Sequence, residues 1–264
     1  MLLSDMGAEV IRIDRQKSLE GRIEHKSNTQ VINRGRQSIA VDLKNPAGKS
    51  VAIRLIAQAD AMIEGFRPGV MERLGLGPDI CLKENSRLIY GRVTGWGQSG
   101  PLAEAPGHDI NYIALTGALH AIGRKNAPPT PPLNLIGDFG GGAYLAMGIL
   151  AAIIEARNSG KGQVIDTSMI DVSASMMAYF FGFKAAGYWN EARGSNYLDS
   201  GAPFYDTYET KDNKWIAIGS VESKFWKQTW KLLGLDITKM PSQHERENWS
   251  STKKVVATAV RTKT

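Results

Sequence analysis

Short apolar runs rich in β-branched residues alternate with longer stretches of helical periodicity along the first two thirds of the chain. Runs of this kind predict strands, and their alternation with helices is typical of parallel strands joined by crossover helices. The predicted strands cover residues 9–14, 38–43, 61–64, 88–94 and 163–169. The pattern therefore predicts an α/β fold built on a parallel sheet.

Helix signals lie between these strands. Asn45 can cap a helix whose apolar residues recur at helical spacing, and a second helix is predicted over 109–117. A third is predicted to follow Asp138, which can cap it, and to end at 158–160, where a glycine provides a stop. The pattern is helical again over 169–187. These helices are expected to cover the sheet.

A β-hairpin is predicted for residues 204–219, which interrupts the alternation of strands and crossover helices. Helical patterns follow at 223–233 and 250–261. The change predicts a domain boundary between a large α/β domain at 1–200 and the start of a smaller α+β domain at 201–264. Because roughly 60 residues bury little surface unaided, this second domain is expected to be partial.

The composition is that of a soluble globular protein, with 42% hydrophobic and 22% charged residues. An excess of 32 Lys and Arg over 26 Asp and Glu gives a net charge of +6, which favours an anionic partner. The arginines are scattered, and no zinc spacing or nucleic-acid-binding motif accompanies them, so no nucleic acid is expected. A phosphorylated small molecule explains scattered arginines better.

Two further features bear on the compartment. Cys81 is the single cysteine, which excludes an internal disulfide and makes a reducing cytoplasm the expected location. The longest apolar stretch, around 144–154, contains glycine and is too short to span a bilayer. The sequence therefore predicts a cytoplasmic protein without a membrane span.

A histidine lies immediately before the second predicted helix, in the segment 107–112. There, His108 would sit among backbone N–H groups that have no partner inside the helix. Such groups can stabilise a developing oxyanion beside a titratable imidazole. The alternative is a surface histidine that merely ends a loop, and the local sequence leaves both interpretations open.

The segment 133–142 combines Asp138 with three consecutive glycines at 140–142. Capping of the next helix explains the aspartate. It does not explain the glycines, because each destabilises a helix by about 1 kcal/mol relative to alanine. A substrate pressed against this turn explains them, and so does a tight packing contact.

The third predicted strand leads into a Pro-Gly segment that contains Glu64, Arg67 and Arg73. Crevices at the carboxyl ends of parallel strands bind ligands in open α/β sheets, and arginines can clamp phosphates there. The sequence has no dinucleotide fingerprint and no phosphate-binding lysine loop, which disfavours NAD and ATP. The alternative is an ordinary turn with solvated arginines.

Glu222 is a further candidate, because it lies where the predicted hairpin gives way to a helix. A carboxylate at this point could orient a histidine and stabilise its charged form. Acidic residues are also favoured at helix N-termini for reasons unrelated to catalysis, so a structural role stays open.

A set of segments carries a family resemblance, at residues 5–15, 64–69, 92–98, 107–112, 134–142 and 201–209. Taken together and in order, they resemble family III CoA-transferases, and more narrowly the bacterial α-methylacyl-CoA racemases. The combination extends over nearly the whole chain and is far more specific than any one piece. We therefore expect the fold and chemistry of that family.

The resemblance implies that His108 and Asp138 are the two catalytic acid/base residues. It also implies that Glu222 pairs with His108 and that Asn134 helps to hold the site. The backbone N–H of Asp109 would meet the oxygen of the substrate thioester. Together these groups would invert the carbon next to a CoA thioester through an enolate, by proton transfer.

The resemblance further implies a CoA-binding large domain with a Rossmann-like sheet, no metal, no redox cofactor and an interlocked homodimer. The positions at which the family contacts the CoA part of an acyl-CoA substrate are Arg15, Val41, Glu64, Arg67 and Arg73. Compared with the family, the first strand and the end of the small domain are expected to be missing. The chain opens with a helical pattern at 1–8 and closes at Thr264.

Two other functions stay open. A CoA-transferase would use Asp138 as a nucleophile and form a mixed anhydride. The resemblance implies that racemases have a histidine at the His108 position and that transferases generally do not. An inactive, truncated CoA-binding fragment is the second alternative, in which exposed sheet edges would favour aggregation.

Overall fold

The computed structural model describes residues 1–15 and 30–264 of the chain. These residues divide into two compact units, Met1–Tyr112 with Asn134–Ser175, and Ile113–Leu133 with Met176–Thr264. The boundary predicted after residue 200 lies inside the second unit. The difference arises because residues that precede the hairpin, such as Tyr197, pack into the core of that unit.

The first unit contains two parallel sheets within its described residues. They are formed by β1 (Val10–Asp14) with β2 (Arg36–Ala40), and by β3 (Ala61–Glu64), β4 (Ile89–Thr94) and β5 (Gln163–Ser168) in that order. The predicted α/β class with parallel strands is confirmed. The described strands do not form one continuous sheet, however, because no ladder joins β2 to β3.

The second strand departs from its predicted bounds. The sequence predicts a strand over 38–43, whereas β2 ends at Ala40. Asp42 turns the chain, since its side chain accepts a hydrogen bond from Lys44 N–H at 3.0 Å and its carbonyl accepts one from Asn45 N–H at 3.1 Å. Local hydrogen bonds of this kind compete with strand pairing and end the extended run.

The α-helices of the described residues are α1 (Leu2–Asp5), α2 (Pro46–Ile56), α3 (Val70–Arg73), α4 (Pro78–Glu84), α5 (Asp109–Leu115), α6 (Ala118–Ala121), α7 (Gly140–Ser159), α8 (Met169–Met176), α9 (Ala178–Ala185), α10 (Ser223–Leu233) and α11 (Trp249–Val260). Asn45 caps α2 as predicted, because its side chain accepts a hydrogen bond from Ala47 N–H at 2.9 Å. The helix predicted over 109–117 is shorter, since Gly117 adopts a left-handed conformation with φ of 81°.

The long helix α7 forms the core of the first unit against β4 and β5. Its buried residues include Leu145, Ile149, Ala152 and Ala156. With the preceding turn it forms an apolar helix, Leu135–Ser159, of 25 residues and mean hydropathy 1.6, which is long enough to cross a membrane. The prediction that the apolar stretch around 144–154 is too short to span a bilayer is therefore wrong. One side of this helix nevertheless packs on the sheet.

The second unit contains the predicted antiparallel hairpin, β6 (Tyr205–Glu209) and β7 (Trp215–Gly219). The hairpin shares a hydrophobic core with α10 and α11. The buried residues of this core include Phe204, Tyr208, Trp226, Trp230, Trp249, Val256 and Val260. This aromatic core is more complete than expected for residues 201–264 alone, because earlier segments of the chain contribute to the unit.

Candidate active site

A cleft opens in the first unit where the chain leaves the carboxyl ends of β3 and β4. Its volume is about 480 Å³, and its walls include Arg67, Trp96, His108, Tyr112 and Met169. Crevices at this edge of a parallel sheet are the usual ligand sites of open α/β folds. We therefore take this cleft as the candidate active site.

His108 lies directly before α5 and lines the cleft as an exposed residue. Its backbone is held by Asn111: His108 N–H donates to Asn111 Oδ1 at 3.0 Å, and Asn111 N–H donates to the His108 carbonyl at 2.8 Å. The first bond is the half of a capping box in which the third helical residue caps the residue before the helix, and the second is a backbone turn; together they fix the start of the helix. Among the described residues no acceptor meets Asp109 N–H, which leaves that donor available.

The Asp109 side chain joins two elements that are distant in sequence. It is 4% exposed, and its Oδ2 accepts hydrogen bonds from Gly137 N–H at 2.7 Å and from Asp138 N–H at 2.9 Å. The prediction that Asp138 caps the next helix is therefore wrong. Phe139 is the residue before α7, it makes no side-chain cap, and the N–H of Asp138 is itself capped by Asp109.

A π-helical turn, Leu135–Phe139, carries Asp138 into α7. Phe139 N–H donates to the Asn134 carbonyl at 3.2 Å, and the Asn134 side chain donates to Asp138 Oδ2 at 3.2 Å. The preceding residue, Leu133, has φ of 60°, which is uncommon for a residue other than glycine. Turns and backbone conformations of this kind concentrate at functional sites.

An aromatic wall of Trp96 and Tyr112 lines part of the cleft. The two rings meet edge to face with their centroids 4.7 Å apart. A Cβ atom at Gly95 would stand 2.3 Å from the Tyr112 hydroxyl oxygen, and one at Gly107 would stand 3.0 Å from Trp96 Cζ2. Both glycines are therefore needed for the rings to pack against the backbone.

The Tyr112 hydroxyl group lies in a buried setting near two carboxylates. Burial raises the pKa of Tyr112, and the negative charges of Asp138 and Asp109 raise it further. Both acidic side chains therefore lie close enough to the aromatic wall to act on the same hydroxyl group.

Glu64 ends β3 with both carboxylate oxygens engaged inside the protein. Oε1 accepts a hydrogen bond from Arg92 Nε at 2.7 Å, and Oε2 accepts one from Phe66 N–H at 2.7 Å. Arg92 Nη1 also donates to Glu72 Oε1 at 2.9 Å. Burial lowers the pKa of Arg92, but its hydrogen bonds to Glu72 and Glu64 outweigh burial and raise it overall.

Of the five residues predicted to contact CoA, Arg67 is the one that lines the cleft. Arg73 is exposed at the end of α3, where its Nη1 would lie 2.9 Å from a Cβ atom at Gly69. Arg15 is exposed after β1, and Val41 is buried after β2. Their contacts with CoA stay predictions.

Glu222 lies in the second unit, at the residue before α10. It is exposed, and its side chain makes no capping hydrogen bond with the helix. Its predicted pairing with His108, which lies in the first unit, stays a prediction.

The structure adds residues to which the sequence assigned no role. Asn111 is one, and its position three residues after His108 is a capping signal that could have identified it. Arg92, Trp96 and Tyr112 carry no comparable local signal, because their partners are distant in sequence.

Arg67 gives the cleft a guanidinium group, which suits an anionic ligand. Residues 1–15 and 30–264 contain no group of three or more His, Cys, Asp or Glu placed to hold a metal ion. Arg67 in the cleft and Arg73 on α3 offer guanidinium groups, which bind phosphates well.

Comparison with known proteins assigns the chain to a family. The sequence model for CoA-transferase family III matches residues 1–264. The chain belongs to CoA-transferase family III.

Relatives of this family III chain include the α-methylacyl-CoA racemases of Mus musculus and Homo sapiens. They are 44% and 43% identical to it over 265 residues, which cover 100% of this chain and 68% of each relative. A solved CAIB/BAIF family protein from Brucella suis has a TM-score of 0.81 at 24% identity, over 99% of this chain and 73% of that one. This likeness confirms the predicted family III fold.

Proposed function

We propose that the protein is an α-methylacyl-CoA racemase, which inverts the carbon next to the thioester of a 2-methylacyl-CoA substrate. The observation that carries the proposal is the hydrogen bond from Asp138 N–H to Asp109, because it brings the turn of Asp138 to the residue that follows His108. A base and an acid on opposite faces of one carbon are what the inversion requires. The likeness to racemases supports the same activity.

In one direction, neutral His108 would take the α-proton, and the electron pair of the broken C–H bond would form an enolate. Protonated Asp138 would then deliver a proton to the opposite face of the same carbon, and the reverse reaction would exchange these roles. The enolate oxygen would accept a hydrogen bond from Asp109 N–H, while Asn134 would hold the Asp138 carboxyl group. Glu222 would pair with His108, as the family resemblance implies.

The CoA part of the substrate would be held by the predicted residues Arg15, Val41, Glu64, Arg67 and Arg73. Arg67→Ala should weaken CoA binding by about ten- to a hundredfold, the range of one charge-assisted hydrogen bond. Arg73→Ala should have a smaller effect, because Arg73 does not line the cleft. Calorimetric titration with CoA measures both, and equal affinities in the two variants and the parent protein would remove arginine binding from the proposal.

The proposed reaction uses neither a metal ion nor a redox cofactor, as the family resemblance implies. Treatment with a chelator should therefore leave the rate unchanged, and a loss that added metal restores would contradict this. The proposed compartment is the cytoplasm, which cell fractionation tests.

The proposed assembly is an interlocked homodimer. The exposed apolar side of α7, with Met147, Leu150 and Ile154, is suited to such an interface. Light scattering should report twice the chain mass, and a monomer at micromolar concentration would count against the dimer.

The central test uses His108→Ala and Asp138→Ala. Each variant should lose inversion by about 10²- to 10⁴-fold, because each removes one of two proton-transfer groups. Chiral analysis of a 2-methylacyl-CoA ester after reaction in D₂O measures inversion and deuterium uptake together. CoA affinity should persist in both variants, and undiminished inversion in either would refute the mechanism.

A second candidate follows from the family itself. In a CoA-transferase, the Asp138 carboxylate would attack the thioester carbonyl, form an acyl-aspartyl anhydride and release the CoA thiolate. Hydroxylamine traps such an anhydride as a hydroxamate on Asp138, which mass spectrometry detects. Trapping together with CoA transfer to a carboxylate acceptor would replace the racemase proposal.

A further inference from the structure

The Asp109 carboxylate is placed for a task that its backbone N–H does not explain. Its side chain is almost fully buried, and one oxygen accepts hydrogen bonds from two consecutive N–H groups of the π-helical turn. We propose that this carboxylate is a positioning residue, which holds the turn carrying Asp138 in register with His108. The inference rests on the proposed racemase function and adds to it a role for the Asp109 side chain.

The path between the two catalytic groups is short at this point. One peptide unit separates His108 from Asp109, and the Asp109 carboxylate lies 2.9 Å from the backbone nitrogen of Asp138. The start of α5 is fixed in turn by the reciprocal hydrogen bonds between His108 and Asn111. Any shift of the π-helical turn relative to His108 must therefore stretch or break the bonds to Asp109.

The sequence of the turn fits the carboxylate. Gly137 has no side chain, and a Cβ atom there would stand 3.0 Å from Asp109 Oδ2 and 3.3 Å from its Cγ. Real Cβ contacts are seldom this short, so glycine allows the carboxylate to reach two N–H groups in succession. Asp109 and Gly137 thus form one contact, which we call the carboxylate clamp.

The second oxygen separates the clamp from ordinary helix capping. Oδ1 of Asp109 is buried, and no hydrogen-bond donor meets it among the described residues. An uncharged serine or asparagine could cap the same N–H groups without burying a charge. A carboxylate gives stronger hydrogen bonds, and strong bonds hold a catalytic group more exactly in place.

The test measures each enantiomer separately in Asp109→Ala. Without the clamp Asp138 is displaced while His108 keeps its own bonds to Asn111, so inversion should fall by about a hundredfold. Deuterium exchange without inversion should persist for the enantiomer whose proton His108 removes. Asp138→Ala should show the same enantiomer preference, and His108→Ala the opposite one. KM should change far less than kcat.

A matched control is Asn85→Ala in the same unit. Asn85 Nδ2 also joins distant elements, by donating to the Ile56 carbonyl at 3.1 Å and to the Ala59 carbonyl at 2.9 Å. It precedes the amino end of β4, away from the cleft at the carboxyl end. This variant should lose stability and keep equal exchange for both enantiomers.

Two further variants keep the inference testable if Asp109→Ala does not fold. Gly137→Ala loosens the clamp without removing it, and should reduce inversion by up to about tenfold with the same enantiomer preference. Asp109→Asn keeps an oxygen that can accept both N–H bonds, so it should exceed the alanine variant in inversion rate.

The outcomes separate the two proposals. Equal loss of exchange for both enantiomers in Asp109→Ala, or symmetric exchange in Gly137→Ala, would overturn the clamp while leaving the racemase function intact. Absence of inversion in the unaltered protein, or full inversion in Asp138→Ala, would overturn the proposed function itself.

Discussion

Glu64 and Asp109 are two buried carboxylates of the same unit, each 4% exposed, and their surroundings differ in one respect. Both oxygens of Glu64 have a donor, one from Arg92 and one from the backbone of Phe66. Asp109 receives two backbone N–H groups on one oxygen, while its other oxygen meets no donor among the described residues.

The difference teaches which of the two carboxylates belongs to the framework. Glu64 carries a buried charge that the Arg92 guanidinium neutralises, so both of its oxygens are satisfied inside the protein. The Asp109 carboxylate is incompletely satisfied and lies next to His108, and such groups are typical of sites where position matters more than stability. Stability and activity measurements should therefore separate the two residues.

Arg92→Ala should have the largest effect on stability. It leaves the Glu64 carboxylate buried without its charged partner, and breaking a buried ion pair in this way costs about 3–5 kcal/mol of the free energy of unfolding. Urea denaturation followed by far-UV circular dichroism measures the loss. Arg92→Lys would keep a positive charge beside Glu64 and should therefore lose less stability than the alanine variant. A loss below about 1 kcal/mol in the alanine variant would mean that Glu64 is not held as a framework residue.

The sequence predicted those parts of the fold that local rules determine. The Asn45 cap of α2, the hairpin and α10 depend on residues close together along the chain, and they occur where the sequence places them. The end of β2 was missed because the Asp42 turn competes with strand pairing. The break between β2 and β3 has no local signal at all.

The candidate site was predictable as a set of residues and not as a set of contacts. Local capping rules assign Asp138 to the start of the next helix, yet a partner far earlier in the chain, Asp109, supplies the hydrogen bonds instead. Glu64 is a second example, because the sequence predicts a contact with CoA and does not predict the hydrogen bond that Glu64 accepts from Arg92. Long-range partners of polar side chains depend on tertiary packing, which periodicity and spacing do not encode.

Gly142→Ala should have a smaller effect on stability, of opposite sign, and it extends the comparison to the first turn of α7, which follows the π-helical turn. A Cβ atom at Gly142 meets nothing within 4 Å, whereas one at Gly141 would stand 3.1 Å from Met169 Cγ. Packing therefore explains Gly141 and leaves Gly142 unexplained. Alanine in a helix should raise the free energy of unfolding by about 0.5–1 kcal/mol.

Kinetic measurements test whether the substrate occupies the space beside Gly142. A substrate pressed against this turn predicts that Gly142→Ala raises KM while stability rises, and thermal denaturation with steady-state kinetics measures both. Gly182→Ala in α9 is the matched control, since its Cβ also meets nothing within 4 Å. An unchanged KM in Gly142→Ala would remove the substrate from the explanation of the glycines.

Glu72→Gln should have the smallest effect, and pH makes it measurable. The hydrogen bond from Arg92 lowers the pKa of Glu72 below its ordinary value of 4.5. A lowered pKa in the folded state means that the ion pair stabilises the protein above the unfolded value, and that this stabilisation is lost as the pH falls through the folded value. Because Glu72 is 45% exposed, the effect at neutral pH should be about 0.2–1 kcal/mol. The free energies of unfolding of the parent protein and the variant, measured by urea denaturation, should therefore differ at neutral pH and converge in acid. Equal free energies at every pH would show that Arg92 is held by Glu64 alone.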